Sequence, residues 1–174
     1  MKKIVLFSLV SLLFTVNGYS QSEIAKVKAN EYLKKGNEEA KLDDFLSAIS
    51  SYNLAIEFDH NNPETYHNRG FAKYRLKNYQ GAIADYTKAI EIFPNYSSTY
   101  LWRGMAKYLL EDYRGAIPDF TKAIELNPKD GESYFNRGMA KMILNDTNSG
   151  CLDFSKAGEL GFAEAYNAIK ELCK

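Results

Sequence analysis

Histidine and cysteine are nearly missing from this chain, with two of each in 174 residues. His60 and His67 lie far from Cys151 and Cys173, so no spacing suits a zinc site. Net charge is missing as well, 22 basic residues standing against 22 acidic. That argues against a nucleic-acid surface, which carries a basic excess or stripe. There is no glycine-rich phosphate loop, no nucleophile elbow, and no serine or cysteine near a histidine in sequence. Asp43 and Asp44 make a carboxylate pair, but at a helix start where capping explains them. The residues predict no enzyme, no metal and no cofactor.

Long apolar runs are also scarce. One occurs, "IVLFSLVSLLFTV" from Ile4 to Val16, behind a basic "MKK". It is shorter than the roughly 20 residues that span a bilayer. The small residues of "NGYSQ" follow, so residues 1–20 read as a signal peptide cleaved after Ser20; the alternative is an N-terminal anchor or a buried helix. No cysteine follows the run to carry a lipid anchor. Processing removes Lys2 and Lys3 and leaves a slightly acidic chain with no stable membrane insertion. The expected location is the periplasm, with secretion as the alternative.

What the chain has in abundance is self-similarity. "YHNRGFAKY" at 66–74 returns as "YLWRGMAKY" at 100–108 and as "YFNRGMAKM" at 134–142. Shifting the sequence by 34 aligns Tyr32, Tyr66, Tyr100 and Tyr134, then Gly36, Gly70, Gly104 and Gly138, then Leu42, Leu76, Leu110 and Leu144. Further columns hold Tyr52, Tyr86, Phe120 and Phe154, and Ala55, Ala89, Ala123 and Ala157. A fixed period of this kind marks a repeat architecture. Each unit reads as two helices with one apolar stripe apiece. Asp44, Asn78, Asp112 and Asp146 stand where the second helix needs a cap. Glycine in mid-helix costs up to about 1 kcal/mol relative to alanine. Four retained glycines therefore imply close approach of the paired helix, with the alanine columns expected across the contact.

The period and the aromatic–Gly–aromatic–Ala–aromatic–Ala–Pro pattern resemble the tetratricopeptide repeat. On that resemblance the fold is an all-α solenoid of four helix-turn-helix units, at about 29–62, 63–96, 97–130 and 131–162. A capping helix over 163–174 closes the domain that spans 21–174, and the family implies a right-handed superhelix.

Arg69, Arg103 and Arg137 precede the glycines, and Asp85, Asp119 and Asp153 follow each by 16 residues. The first unit has Lys35 and Ser51 there instead, losing both members together. An anion-binding ladder would need the arginines alone. The joint loss favours Arg–Asp pairing between packed helices.

In this family the first helices line a concave groove. That implies a partner-binding face made of His67, Asn68, Phe71, Tyr74, Arg75, Leu101, Trp102, Met105, Tyr108, Phe135, Asn136 and Met139. Its aromatic and methionine residues predict an exposed apolar strip suited to a protein or peptide; the chain's closing helix or a second copy could fill it instead. The carboxylate clamp of chaperone-binding relatives does not carry over. Asn37 and Asn68 fit it, but Leu33, Ser98 and Trp102 stand where basic residues belong. Cys151 opens the last repeat's second helix and Cys173 ends the closing helix. Antiparallel packing would bring them together as a disulfide; otherwise they are two buried thiols. "GCLDFSKAGELG" resembles the closing unit of exported bacterial members. The function implied is a non-enzymatic scaffold for another protein, or a self-associating assembly subunit, with no nucleic-acid partner.

Overall fold

The computed structural model describes residues 20–173, and the predicted signal segment before Ser20 lies outside them. The chain divides after Asn61 into two compact units.

The first unit is one helical hairpin, α1 (Gln21–Lys41) and α2 (Phe45–Phe58). Ser20 caps α1 in a reciprocal box with Glu23, which returns a side-chain bond to the Ser20 amide, satisfying two of the donors a helix start leaves open. α1 therefore begins eight residues before the predicted edge of the repeat at 29. Ile24 and Val27 on that extension are exposed. Asp44 caps α2 by accepting from the Ser47 amide at 3.2 Å. Ala29, Leu33, Phe45, Ala48, Tyr52 and Ala55 are buried between the two helices.

The second unit repeats the hairpin three times: α3 (Pro63–Arg75) with α4 (Tyr79–Ile92), α5 (Ser97–Leu109) with α6 (Tyr113–Leu126), and α7 (Gly131–Ile143) with α8 (Thr147–Glu159). α9 (Glu164–Leu172) follows and packs on α8. Within this unit α4 also packs on α5 and α6 on α7, so each hairpin is clasped by the next. Asn78, Asp112 and Asp146 cap the second helices by accepting from the Gly81, Gly115 and Ser149 amides at 3.0, 2.9 and 3.4 Å.

The glycine column works against rings, not against the alanines. A Cβ on Gly36, Gly70, Gly104 or Gly138 would come within 2.5 to 2.9 Å of Tyr52, Tyr86, Phe120 or Phe154. The four rings are buried to within 1% of completely, so no side chain fits at those glycines without displacing one. The leucine column also departs from the sequence reading. Leu42, Leu76, Leu110 and Leu144 are helix C-caps, and Leu42 is 81% exposed. The next residue in each unit (Asp43, Lys77, Glu111, Asn145) turns the chain with φ between 58° and 63°.

A polar seam runs beside the rings. Arg69 donates to Asp85 through Nε at 2.9 Å and Nη2 at 2.6 Å. Arg103–Asp119 and Arg137–Asp153 repeat that two-pronged geometry. Lys73, Lys107 and Lys141 each add a second cation at 2.7 Å. Each guanidinium also lies over the tyrosine three residues earlier, 5.5 Å from the ring centroid. In the first unit the corresponding places hold Ser51 and Glu39. They keep a hydrogen bond at 2.6 Å with the charge removed from one side and reversed on the other. Arg103 Nη1 further reaches back to Thr87 Oγ1, and Arg137 Nη1 to Thr121 Oγ1, both at 3.2 Å.

Candidate functional site

The first helices of the second unit, α3, α5 and α7, carry the twelve residues singled out from the sequence. The structure sorts them into three groups. His67 and Leu101 belong to the core, only 8% and 6% exposed. His67 Nδ1 lies 2.9 Å from Thr99 Oγ1, and its ring stacks on Tyr96 at 4.8 Å. Burial pushes its pKa down to about 4, so the ring is neutral near pH 7. Arg75 is exposed, with its guanidinium 5.8 Å from the Phe71 ring centroid. The other nine (Asn68, Phe71, Tyr74, Trp102, Met105, Tyr108, Phe135, Asn136 and Met139) are half-buried.

The expected strip is thus a cluster of interlocked rings with part of each left uncovered. Trp102 receives Phe71 at 5.0 Å and Tyr74 at 5.2 Å, both edge-on. Such contacts hold rings in fixed orientations beyond what area burial alone achieves. Tyr74 leans on Tyr79 and Tyr108 on Tyr113, again edge-on. Phe135 is wedged between Phe154 and Phe162, so the chain's own closing turn covers that end of the row. Tyr79, Tyr113 and Phe162 were missed from the sequence because they sit on second helices or in a turn.

Burial raises the Tyr74 pKa, and the hydroxyl feels the carboxylate of Glu132 at the start of α7. Glu132 is itself half-buried. Desolvation first, then the neighbouring Asp130 and Glu164 carboxylates, hold its pKa above the ordinary glutamate value. Among the described residues, no group of three or more His, Cys, Asp or Glu side chains is arranged to hold a metal ion. No helix there is long and apolar enough to cross a membrane.

Cys151, in the first turns of α8, and Cys173, the C-cap of α9, come together as the antiparallel arrangement requires. Their Cα atoms are 5.8 Å apart with the sulfurs at bonding distance. Tyr166 on α9 donates to the Gly158 carbonyl at 3.1 Å, fixing the closing helix against α8 independently of the cysteines.

The chain is similar to known proteins on this architecture. A tetratricopeptide-repeat model matches residues 63–96 and 97–130, a TPR-repeat model matches 36–77, and a further tetratricopeptide-repeat model matches 120–151. No curated protein matches the chain significantly. Among solved structures, MamA superimposes with a TM-score of 0.77 at 23% identity, over 82% of this chain and 79% of that one. YrrB, described as a TPR protein with an unusual peptide-binding site, gives 0.71 at 23% identity, over 78% and 71%. The first TPR of Spaghetti (RPAP3), bound to the HSP90 peptide SRMEEVD, gives 0.68 at 28% identity, over 69% and 95%. The MamA and YrrB matches bear on fold alone. The matched models run together from residue 36 to 151 and cover three of the four glycine–ring contacts in full; the chain belongs to the tetratricopeptide-repeat family.

Proposed function

We propose that this protein is a non-enzymatic interaction scaffold that takes a peptide or amphipathic segment of a partner protein on the face of α3, α5 and α7. The observation that carries the reading is the half-covered aromatic row centred on Trp102, with Phe71 and Tyr74 fixing its indole. Apolar rings left partly open on a well-packed helical face mark an interaction surface. The RPAP3 structure, which holds a bound peptide, supports the class of ligand. The ligand differs from a chaperone tail, because Leu33, Ser98 and Trp102 replace the basic clamp.

The working location is the cell envelope, most simply the periplasm. The apolar run Ile4–Val16 and the paired Cys151 and Cys173 support it, since disulfides persist outside the cytosol. Cleavage after Ser20 would remove the residue that caps α1. N-terminal sequencing of the protein from its own cell is expected to begin at Gln21; a chain still starting at Met1 would end the envelope reading.

The direct test is affinity capture from the source cell's envelope, with the purified protein beside a Trp102→Ala, Met105→Ala variant shown by circular dichroism to be folded. A partner captured by the first and lost by the second supports the face as the site. A partner retained by both rejects it. Sedimentation at two concentrations separates this scaffold from a self-associating subunit, which would gain mass with concentration.

A further inference from the structure

The helix that closes the second unit has little to hold it in place. α9 has nine residues, fewer than the roughly 12 to 15 that an isolated helix needs to persist in water. Its N-cap, Ala163, makes no side-chain capping bond, so its first turn lacks the help that a serine or aspartate would give. Ala165 and Ala168 are its buried residues, while Tyr166 is 62% and Leu172 42% exposed. Two small side chains bury too little apolar surface to offset the entropy of ordering the segment. Two further ties reach α8, the Tyr166 hydrogen bond to the Gly158 carbonyl and the Cys151–Cys173 bridge. The hydrogen bond sets where α9 lies but, made by an exposed tyrosine, holds it weakly. The bridge supplies the hold.

The turn leading into α9 covers one end of the aromatic row. Phe162 packs its ring on Phe135 at 5.0 Å. A Cβ on Gly131, the first residue of α7, would come within 3.1 Å of Phe162 and 3.4 Å of Leu160, so the turn rests directly on the start of that helix. α9 itself passes close to Gly158, where a Cβ would meet Tyr166 at 3.5 Å and Ala165 at 3.9 Å. Phe154, Ala157 and Gly158 form a buried stripe on α8. Earlier in the unit, the second helix of each hairpin packs on the first helix of the next. α9 takes that place on α8 with a shorter element. Cys151 and Cys173 are half-buried rather than sealed, which leaves the bridge within reach of an attacking thiolate.

We propose that residues 160–173 form a redox-latched lid. The closed bridge holds α9 and its turn over α8 and the start of α7. Reduction by a dithiol lets them lift, uncovering Phe135 and the apolar stripe of α8. One thiolate of the dithiol attacks a bridge sulfur to give a mixed disulfide and releases the other cysteine. The second thiol of the reductant then displaces the first cysteine. The protein ends with two thiols and the reductant with one disulfide, so two electrons and two protons have passed to the protein. Reoxidation restores the lid, because the Tyr166–Gly158 bond and the Phe162–Phe135 contact return α9 to the same seat. The lid stands on this geometry alone; its effect on partner binding rests on the scaffold reading above.

The test treats the purified protein with dithiothreitol, without denaturant, and counts thiols. Amide hydrogen exchange and binding of the apolar dye anilinonaphthalene sulfonate are followed before and after, and again on reoxidation. The expected result is two thiols in the folded protein and a loss of protection over 160–173 of about tenfold or more. Protection in α3 to α6 should hold, dye binding should rise, and both changes should reverse on reoxidation. A Cys151→Ser, Cys173→Ser variant should match the reduced protein with no reductant present. A bridge that yields only in denaturant overturns the lid. So does a reduced protein, or that variant, in which α9 keeps its protection and dye binding is unchanged. Loss of protection across the whole second unit also overturns it, since the bridge would then be a staple of the fold. None of these readouts involves a partner, so each adverse result leaves the scaffold reading standing.

Discussion

Arg103 and Asp119, 16 residues apart on α5 and α6, share two hydrogen bonds at 3.0 and 2.6 Å, with the aspartate side chain only 5% exposed. The pair ties the two helices of one hairpin together, and Thr87 joins it to the hairpin before. Lysine cannot replace that planar fork. Arg103→Ala is expected to lower stability by about 3 kcal/mol, the usual cost of leaving a buried partner behind. An Arg103→Met, Asp119→Leu double variant should lose less than the single change. Urea unfolding of both, with partner capture unchanged, is the check; lost capture with unchanged stability would point to a binding role instead.

Acid stability should depend on His67. Its folded pKa of about 4 lies below the ordinary 6.5 because burial disfavours the imidazolium. The unfolded chain therefore takes up the proton first, and stability falls as pH drops from 6.5 toward 4. The loss is on the order of 3 kcal/mol when fully developed. Glu132 pulls the other way, since its raised pKa makes acidification relieve strain in the fold. Unfolding at pH 7.5, 5.5 and 4.5 should show a steeper decline for wild type than for His67→Gln; equal slopes would remove His67 from the account.

Tyr86→Phe is expected to stabilise the protein by about 1 kcal/mol, because it deletes a buried hydroxyl without a partner. The same column already holds Phe120 and Phe154, so the site accepts the change in shape. A fall in melting temperature would mean the hydroxyl is satisfied in solution.

For the cysteine pair, denatured and unreduced protein should show no titratable thiol. Two thiols per chain would reject the bridge. With a sequence separation of 22 between the partners, the chain-entropy model gives about 3 kcal/mol of stabilisation. Cys173→Ser is expected to lose that amount, and fraying should start at α9.

Much of this architecture could be read from the sequence because it is written at a constant interval. The glycine, ring and alanine columns, the aspartate and asparagine caps and the Arg–Asp seam all recur at 34 residues, so each supports the others. The lysine column at 73, 107 and 141 carried the same signal and completes the seam. Features without a counterpart in other units escaped. The eight-residue extension of α1 has no column to announce it, although Ser20 and Glu23 have the spacing of a capping box. His67 looked like a surface residue by type, yet Tyr96 and Thr99 from the next hairpin enclose it. The leucines at 42, 76 and 110 matched an apolar stripe by spacing, but each falls where its helix has already ended. Whether an apolar side chain on α3 or α5 faces outward or meets another ring depends on the neighbouring helix, which periodicity within one helix cannot report.

Thr87 meets Arg103 as Thr121 meets Arg137, atom for atom and at the same 3.2 Å. The seam between hairpins is therefore interchangeable. Excision of residues 97–130 as a block would present Arg137 to Thr87 in the place Arg103 vacated, and duplication of the block would create one more identical joint. The gene can lengthen or shorten this protein by whole units without inventing a new interface, so the span of the binding face can evolve separately from its chemistry.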